Sequence, residues 1–277
     1  MNVLLPGDLR QALDMLSGDG SGAIPIAGGT DLLVHWPQHS EAHARTYLDL
    51  SALSELRPVT WTDDELILGG LTTFWDIVQD PRAAVEFPLL REAGRQVGAV
   101  QIQARGTWAG NVVNASPAAD GVPVLMAYDA TLVLESSQGS ETAALSDFYV
   151  GYKEMKRRPD QLITQIRLPR REHTFQRFFK VGSRRAQAIA KVGLAVVNSK
   201  AGWRVVAGSM APTVCRCPSI EALLESGALI EAPEDLLSAV RSDVSPIDDI
   251  RSSAHYREHV MARLLFSEVF KSGQLPR

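Results

Sequence analysis

In the segment DLRQALDML, apolar side chains recur at Leu9, Ala12, Leu13 and Leu16. This i, i+3, i+4, i+7 spacing gathers them on one face of a helix, and Asp8, following Pro6 and Gly7, is placed as its N-cap. The period then changes. AIPIA over 23 to 27 and TYLDL over 46 to 50 are short apolar runs that read as strands, with paired glycines directly after the first. The chain therefore opens as helix, strand, glycine loop and strand. After ELILGG (65 to 70), LTTFWDIVQD (71 to 80) is predicted helical, capped by Thr72 or Thr73 with Asp76 in its first turn. PLLREAGRQVG (88 to 98) is predicted as a helix begun by Pro88 and stopped by Gly98. ATLVLES (130 to 136) and LITQIRL (162 to 168) read as strands, and the polar stretch after them puts a domain boundary near 170, dividing the chain into 1–170 and 171–277. The second part opens with FQRFFKVGSRRAQAIAKVGLAVVN and closes on the helical pattern AHYREHVMARLLFSEVFKSG, residues 254 to 273.

Composition acts mainly by exclusion. A chain of 277 residues that is 45% hydrophobic can bury a full core. With 28 Lys and Arg against 32 Asp and Glu, the net charge of −4 gives no field that draws nucleic acid or an anionic membrane. No apolar run reaches membrane-spanning length, and the first residues lack the basic-then-apolar pattern of an export signal, so the expected location is the cytoplasm without membrane insertion. Cys215 and Cys217 are too few to hold an iron–sulfur cluster or a zinc ribbon and read as ordinary thiols; any cluster in the system belongs to another chain. His255 and His259 read as surface residues of the last helix, with no metal-site pattern around them. Trp36, Trp61, Trp75, Trp108 and Trp203 read as packing residues, Trp108 alone lying within a candidate ligand loop. The basic clusters Lys156-Arg157-Arg158 and Arg184-Arg185 are solvated faces or a docking surface for a partner.

Candidate chemistry lies in two glycine stretches. IAGGTDLL, residues 26 to 33, has neither the Gly-Lys-Ser/Thr of a phosphate-binding P-loop nor the G-x-G-x-x-G of a dinucleotide fingerprint. Its glycines are compatible with a plain turn, or with backbone N–H groups turned toward an anion. The second stretch, GTWAGNVVNASPAAD (106 to 120), concentrates Thr107, Asn111, Asn114, Ser116 and Asp120 between apolar segments. Polar groups so placed face water or satisfy a ligand. Two such loops, both expected to emerge from strands, suit an elongated phosphorylated ligand.

Taken together, AGGTDLLV (27 to 34), GTWAGNVVNASPAAD, VGSRRAQAIAKVGLAVV (181 to 197), GSMAPTVCRCPSIEALL (208 to 224) and SDVSPIDDIRSSAHYREHV (242 to 260) resemble the FAD-binding medium subunit of molybdenum hydroxylases, the xanthine dehydrogenase and carbon monoxide dehydrogenase group. The resemblance implies an α+β fold: a vanillyl-alcohol-oxidase (PCMH)-type FAD-binding domain of two subdomains, about 1–55 and 56–170, plus a smaller α+β C-terminal domain. It implies non-covalent FAD, with the diphosphate on the backbone of Ala27, Gly28, Gly29, Thr30 and Asp31 and with Ile26 and Leu32 packed alongside. Thr107, Gly110 and Asn111 are implied to hydrogen-bond the cofactor and Asp120 its hydroxyls or ring edge. Ile163 matches an apolar position on the flavin, and Lys180 a lysine near the polar end of the ring, where a cation favours electron uptake. The implied function is electron transfer. [2Fe–2S] clusters on a small partner chain and a molybdenum cofactor on a large one deliver electrons to the FAD, which passes them to NAD or another acceptor. No catalytic acid–base residue is implied in this chain.

The sequence departs from the family pattern in places. Ala109 stands where glycine is usual and would be strained by about 1–2 kcal/mol at positive φ. Gln103-Ala104 replaces a common Arg-Asn, and GYKEMKRRPDQL (151 to 162) lacks the usual threonine and glutamate. A self-sufficient oxidase or reductase of the same fold, and a scaffold subunit that has lost FAD, are the alternatives.

Overall fold

The computed structural model describes residues 2–18, 22–34 and 45–271; Trp36 and positions 272 and 273 of the last helical pattern lie outside them. The N-terminal part is a parallel three-stranded sheet in the order β1-β3-β2, formed by β1 (Asn2–Leu4), β2 (Ile24–Ile26) and β3 (Thr46–Asp49). Helix α1 (Leu9–Ser17) connects β1 to the others. Its cap is the expected one, since the Asp8 carboxylate accepts from the Gln11 amide at 2.7 Å. The buried face consists of Ala12, Leu13 and Leu16, which pack with Leu48, Leu50, Leu53 and Leu56. β1 escaped the periodicity because three residues are too few to show a period.

The middle part is an antiparallel five-stranded sheet in the order β4-β5-β10-β6-β7, with helices packed against it. Its elements are β4 (Val59–Trp61), β5 (Glu65–Gly69), α2 (Phe74–Gln79), α3 (Ala83–Glu86), α4 (Pro88–Gln96), α5 (Val100–Gln103), α6 (Trp108–Val113), α7 (Gly121–Ala127), β6 (Thr131–Ser136), β7 (Gly139–Ala144), the short hairpin β8 (Tyr149–Gly151) and β9 (Glu154–Met155), and β10 (Leu162–Pro169). At α2 the cap is Thr73, whose hydroxyl accepts from Asp76 N while the Asp76 carboxylate accepts from Thr73 N, a reciprocal capping box. Gly98, two residues past α4, takes φ +51°, as a helix stop requires.

The C-terminal part is an antiparallel sheet in the order β11-β12-β13-β14, built from β11 (His173–Val181), β12 (Val192–Ser199), β13 (Gly202–Gly208) and β14 (Cys215–Arg216). α8 (Pro218–Ser226), α9 (Leu237–Asp243) and α10 (Ala254–Leu264) follow, the last running into a π-helical turn over Leu265–Phe270. β12 explains its own continuous apolar run. Leu194 and Val196 pack with the residues of α8 to α10, while Ala195 and Val197 belong to the core of the middle part. A strand covered on both faces needs apolar residues at every position.

Tyr128, just after α7, helps bind these parts together: its hydroxyl accepts from Leu89 N at 3.2 Å and donates to the Gln176 side chain at 2.6 Å, linking α4 to β11. Burial pushes its ionisation far above the usual phenol range, so it acts only as a neutral bridge. Among the described residues, no helix is long and apolar enough to cross a membrane. Replacing Tyr128 with Phe leaves the buried Leu89 N–H unpaired, and the expected loss is about 1–3 kcal/mol in urea unfolding; a loss near zero would show that the bridge is dispensable.

Candidate functional site

The first glycine loop leaves β2 at Ile26, turns at Gly29 with φ +69° and enters a 3-10 turn over Leu32–Val34. Its carbonyls are engaged: Ile26 O accepts from Leu50 N and Gly29 O from Leu33 N, both at 2.9 Å. Its amides are not. Among the described residues, the backbone N–H groups of Ala27, Gly28, Gly29, Thr30 and Asp31 donate to no acceptor. Five successive donors on half-buried to exposed backbone are thus left without a protein acceptor, the chemistry an anion requires.

The second glycine stretch abuts the first. A Cβ on Gly28 would overlap the Arg105 carbonyl oxygen, so glycine is required there by the approach of two backbones. Thr30 Oγ1 would lie 3.2 Å from a Cβ on Gly106, and Asn114 Nδ2 donates to Asp31 at 3.1 Å. Between the loops lies a cavity of about 250 Å³ lined by Ala27, Gly28, Ser51, Arg57, Leu71, Thr73, Ala104, Arg105 and Thr107.

The second stretch does not emerge from a strand, as expected; it follows α5 and becomes α6. The helical turn fixes how its polar groups point. Thr107 is the N-cap, its hydroxyl accepting from Gly110 N at 2.9 Å, so the Gly110 amide is engaged within the loop. Asn111 Oδ1 accepts from Gly121 N at 3.1 Å, leaving its NH₂ group as the end able to meet a ligand.

That bond ties α6 to the start of α7, beside Asp120. The Asp120 carboxylate accepts from Lys180 Nζ at 2.6 Å, and the same ammonium donates to Gln96 O at 2.8 Å. The approach depends on glycine again. Lys180 stands opposite Gly193, and Gly193 opposite Gly208; a Cβ on Gly208 would lie 3.2 Å from Pro123, and Ser209 N donates to Pro117 O at 2.7 Å. Burial pushes the Asp120 carboxyl up to about 6, although the Lys180 charge pulls it the other way. Ile163 sits in the core of the middle part, at a bulge in β10, with its carbonyl against Gly70 beside the cavity residue Leu71. The structure thus joins loop to loop, and Asn111 to the Asp120–Lys180 pair, in one chain of contacts.

Several departures lose their force. Ala109 lies inside α6 and is not at positive φ, so it carries no strain. Gln103 is buried and its amide donates to Arg95 O at 3.0 Å and Val97 O at 3.1 Å, a structural bond with no part in the cavity. Trp108 is fully buried against Phe74, with ring centroids 4.7 Å apart, and is a core residue. The basic cluster at 156–158 is not simply solvated: Arg157 donates to Gln161 O at 2.6 Å, and Arg158 pairs with Glu141 at 3.2 Å and Asp160 at 3.1 Å. Cys215 and Cys217 are free thiols, and no metal-ligating cluster occurs among the described residues. Ser51, Arg57, Thr73 and Arg105 line the cavity without having been singled out; only Arg105, adjoining the glycine motif, carried any signal in the sequence.

Comparison with known proteins gives two family matches that together cover most of the chain. Residues 1–171 match the FAD binding domain in molybdopterin dehydrogenase, and residues 177–270 match the CO dehydrogenase flavoprotein C-terminal domain. The glyceraldehyde dehydrogenase medium chain of Sulfolobus acidocaldarius is 30% identical over 275 residues, covering 95% of this chain and 94% of the relative. The xanthine dehydrogenase FAD-binding subunit of Escherichia coli O157:H7 is 28% identical over 262 residues, covering 91% and 89%. The fold matches a chain of carbon monoxide dehydrogenase from Hydrogenophaga pseudoflava with a TM-score of 0.87 at 23% identity, covering 100% of this chain and 98% of that one.

The site geometry leads to two expected outcomes. Gly28→Ala forces the two loops apart, lowering the stability of the ligand-free protein by about 1–3 kcal/mol in urea unfolding; unchanged stability would mean that the backbones need not touch. Asp120 keeps its proton in the fold up to about pH 6, well above the usual aspartate range. The folded state therefore binds more protons than the unfolded one in this window, and the contribution of Asp120 to stability falls as pH rises through it. Relative to Asp120→Asn, ligand-free protein should lose stability between about pH 4 and pH 6; a constant difference would contradict the raised pKa.

Proposed function

Because the chain belongs to the family of FAD-binding medium subunits of molybdenum hydroxylases, we propose that it is the electron-transfer subunit of a multi-subunit enzyme of that kind. In this reading a small partner carries [2Fe–2S] clusters, a large partner carries the molybdenum cofactor, and electrons leave the FAD for NAD or another acceptor. Relatives named as medium chains or FAD-binding subunits support the division of labour, and substrate choice then falls to the large partner. We take the domain boundary near residue 170, where β10 ends at Pro169 and the next strand joins another sheet.

The observation that carries the reading is the run of five free amides in the first glycine loop, of which the first two residues, Ala27 and Gly28, line the cavity between the glycine loops. A dinucleotide's diphosphate needs donors on several oxygens, and backbone N–H groups supply them without a fixed charge. When bound, FAD supplies storage for two electrons that can be filled singly or in pairs.

The chain's own residues supply position and field. Ala27, Gly28, Gly29, Thr30 and Asp31 hold the diphosphate, and Ile26 and Leu32 wall the loop. The Thr107 hydroxyl, already an acceptor for Gly110 N, has its proton left to donate, and Asn111 offers its NH₂. Gly110 contributes by holding Thr107 in place, since a Cβ there would press on the Thr107 hydroxyl at 2.7 Å. Asp120 fixes the Lys180 ammonium, whose side chain is only 6% exposed, and that buried cation favours negative charge gained on the ring. Ile163 supplies an apolar surface.

The purified chain should take up FAD, show the visible absorption of an oxidised flavin and assemble with the molybdenum and iron–sulfur chains of its native complex; a protein that stays colourless with added FAD would sink this reading. Lys180→Gln should lower the flavin's two-electron potential by roughly 30 mV or more, about a tenfold change in the equilibrium. An unchanged potential would remove Lys180 from the neighbourhood of the ring.

A further inference from the structure

Two arginines that no motif identifies stand at the mouth of the cavity. Arg57 follows the turn after β3, and its guanidinium donates to Ser51 O at 2.6 Å. Arg105 precedes the second glycine stretch, and its Nε donates to Gly28 O at 3.4 Å. Ser51 and Gly28 both line the cavity, so the two hydrogen bonds place both guanidinium groups at the same opening, beside the free amides. Each bond engages only one of the five N–H donors a guanidinium carries.

Neither arginine has an anionic partner. Arg82, Arg158, Arg170 and Arg257 pair with carboxylates, whereas among the described residues Arg57 and Arg105, like Arg91, Arg95, Arg167 and Arg184, do not; Arg57 and Arg105 differ from those four in lining the cavity. The nearby carboxylates are already engaged: Asp31 accepts from Asn114 Nδ2 and Asp49 from Ser51 N. Two unpaired guanidinium groups beside five free N–H donors, in a chain of net charge −4, mark a local site for a dianion.

We propose that Arg57 and Arg105 form a two-armed cationic clamp on the diphosphate of the cofactor. The proposal rests on the FAD reading above for the identity of the ligand, but not for the existence of the anion site. The planar, multidentate guanidinium suits phosphate oxygens. One arm comes from the N-terminal part and the other from the middle part, so a bound diphosphate would tie these two parts of the chain together. The clamp acts on the phosphates alone and leaves the ring to Lys180 and Ile163. Cofactor retention is then governed by charge and is sensitive to salt, which screens groups this exposed.

The test is a set of binding titrations on the flavin-free full-length chain with FAD, riboflavin and inorganic pyrophosphate. Arg57→Gln and Arg105→Gln should each weaken FAD about tenfold, the yield of one charge-assisted hydrogen bond. Riboflavin, which has no phosphate, should bind the variants as it binds the parent. The double variant should lose most of the decline in FAD affinity between about 50 and about 500 mM salt, and Arg57→Lys should recover the salt dependence because it restores the charge. Parent-like FAD affinity and salt dependence in both Gln variants would overturn the clamp and leave the FAD reading standing. A riboflavin loss equal to the FAD loss would also overturn it, since the change would then act through the fold. Pyrophosphate binding that depends on both arginines in a chain that refuses FAD would overturn the cofactor reading and keep the clamp, and binding of neither ligand would overturn both.

Discussion

Five adjacent amides without protein acceptors persist in a half-buried to exposed loop only where its backbone is held so that they do not pair within the chain. Here the backbone is fixed from outside. Gly28 packs its Cα against the Arg105 carbonyl, the Gly29 carbonyl closes a turn on Leu33, and Asp31 is tied to Asn114. These contacts use the carbonyls, the side chains and the empty Cβ positions of the loop, and leave the N–H groups untouched. The second loop is anchored in turn by α2, through Phe74 N on Gly106 O at 3.0 Å and Trp108 N on Thr72 O at 3.1 Å. The anion surface therefore depends on two loops about eighty residues apart staying in backbone contact.

The other end of the site depends on a different close approach. β12 and β13 are apolar on both faces because the C-terminal sheet is a middle layer, with α8 to α10 on one side and the helices of the middle part on the other. Gly208 lets the chain around Pro117 and Pro123 lie against that sheet, which brings Asp120 to Lys180 across the join. An ion pair with side chains only 14% and 6% exposed is a weak source of stability, since desolvation offsets most of the attraction. Its value is positional: it holds the ammonium at a defined point.

Much of this was legible in the sequence, and what was not has identifiable causes. Helix α1 and its Asp8 cap follow from a period that burial imposes on nine residues. The choice between Thr72 and Thr73 was not legible, because either can cap; the structure uses Thr73 and buries Thr72. The motif residues were identified by resemblance, and the structure brings both loops together. What the sequence leaves open is the contact that fixes each residue in place. Gly28 reads as a flexible turn residue, yet its necessity comes from a carbonyl 77 positions away, and the Gly110 amide is engaged by a helix cap that a loop reading did not foresee. Arg57 had no local signal, because its importance lies in what surrounds it and in the absence of a carboxylate beside it.

The distribution of titratable groups around the cavity bears on the proposed electron-transfer role. A hydrolytic or proton-abstracting site is expected to gather an acid and a base, their pKa values driven apart, around one reacting atom. Here Asp120 is raised by burial, but its partner is a lysine to which it is directly bonded, and Tyr128 and Tyr149 are raised as neutral bridges within the packing. His173 is lowered by burial and lies edge-on to Tyr128, with ring centroids 5.2 Å apart. None of these groups lines the cavity between the loops, whose ionisable lining among the described residues is Arg57 and Arg105. A cavity lined by cations and free amides is suited to holding a charged carrier and setting the field around it. Under the proposed function, bond making and breaking fall to the large partner, and this chain supplies position and field for the cofactor.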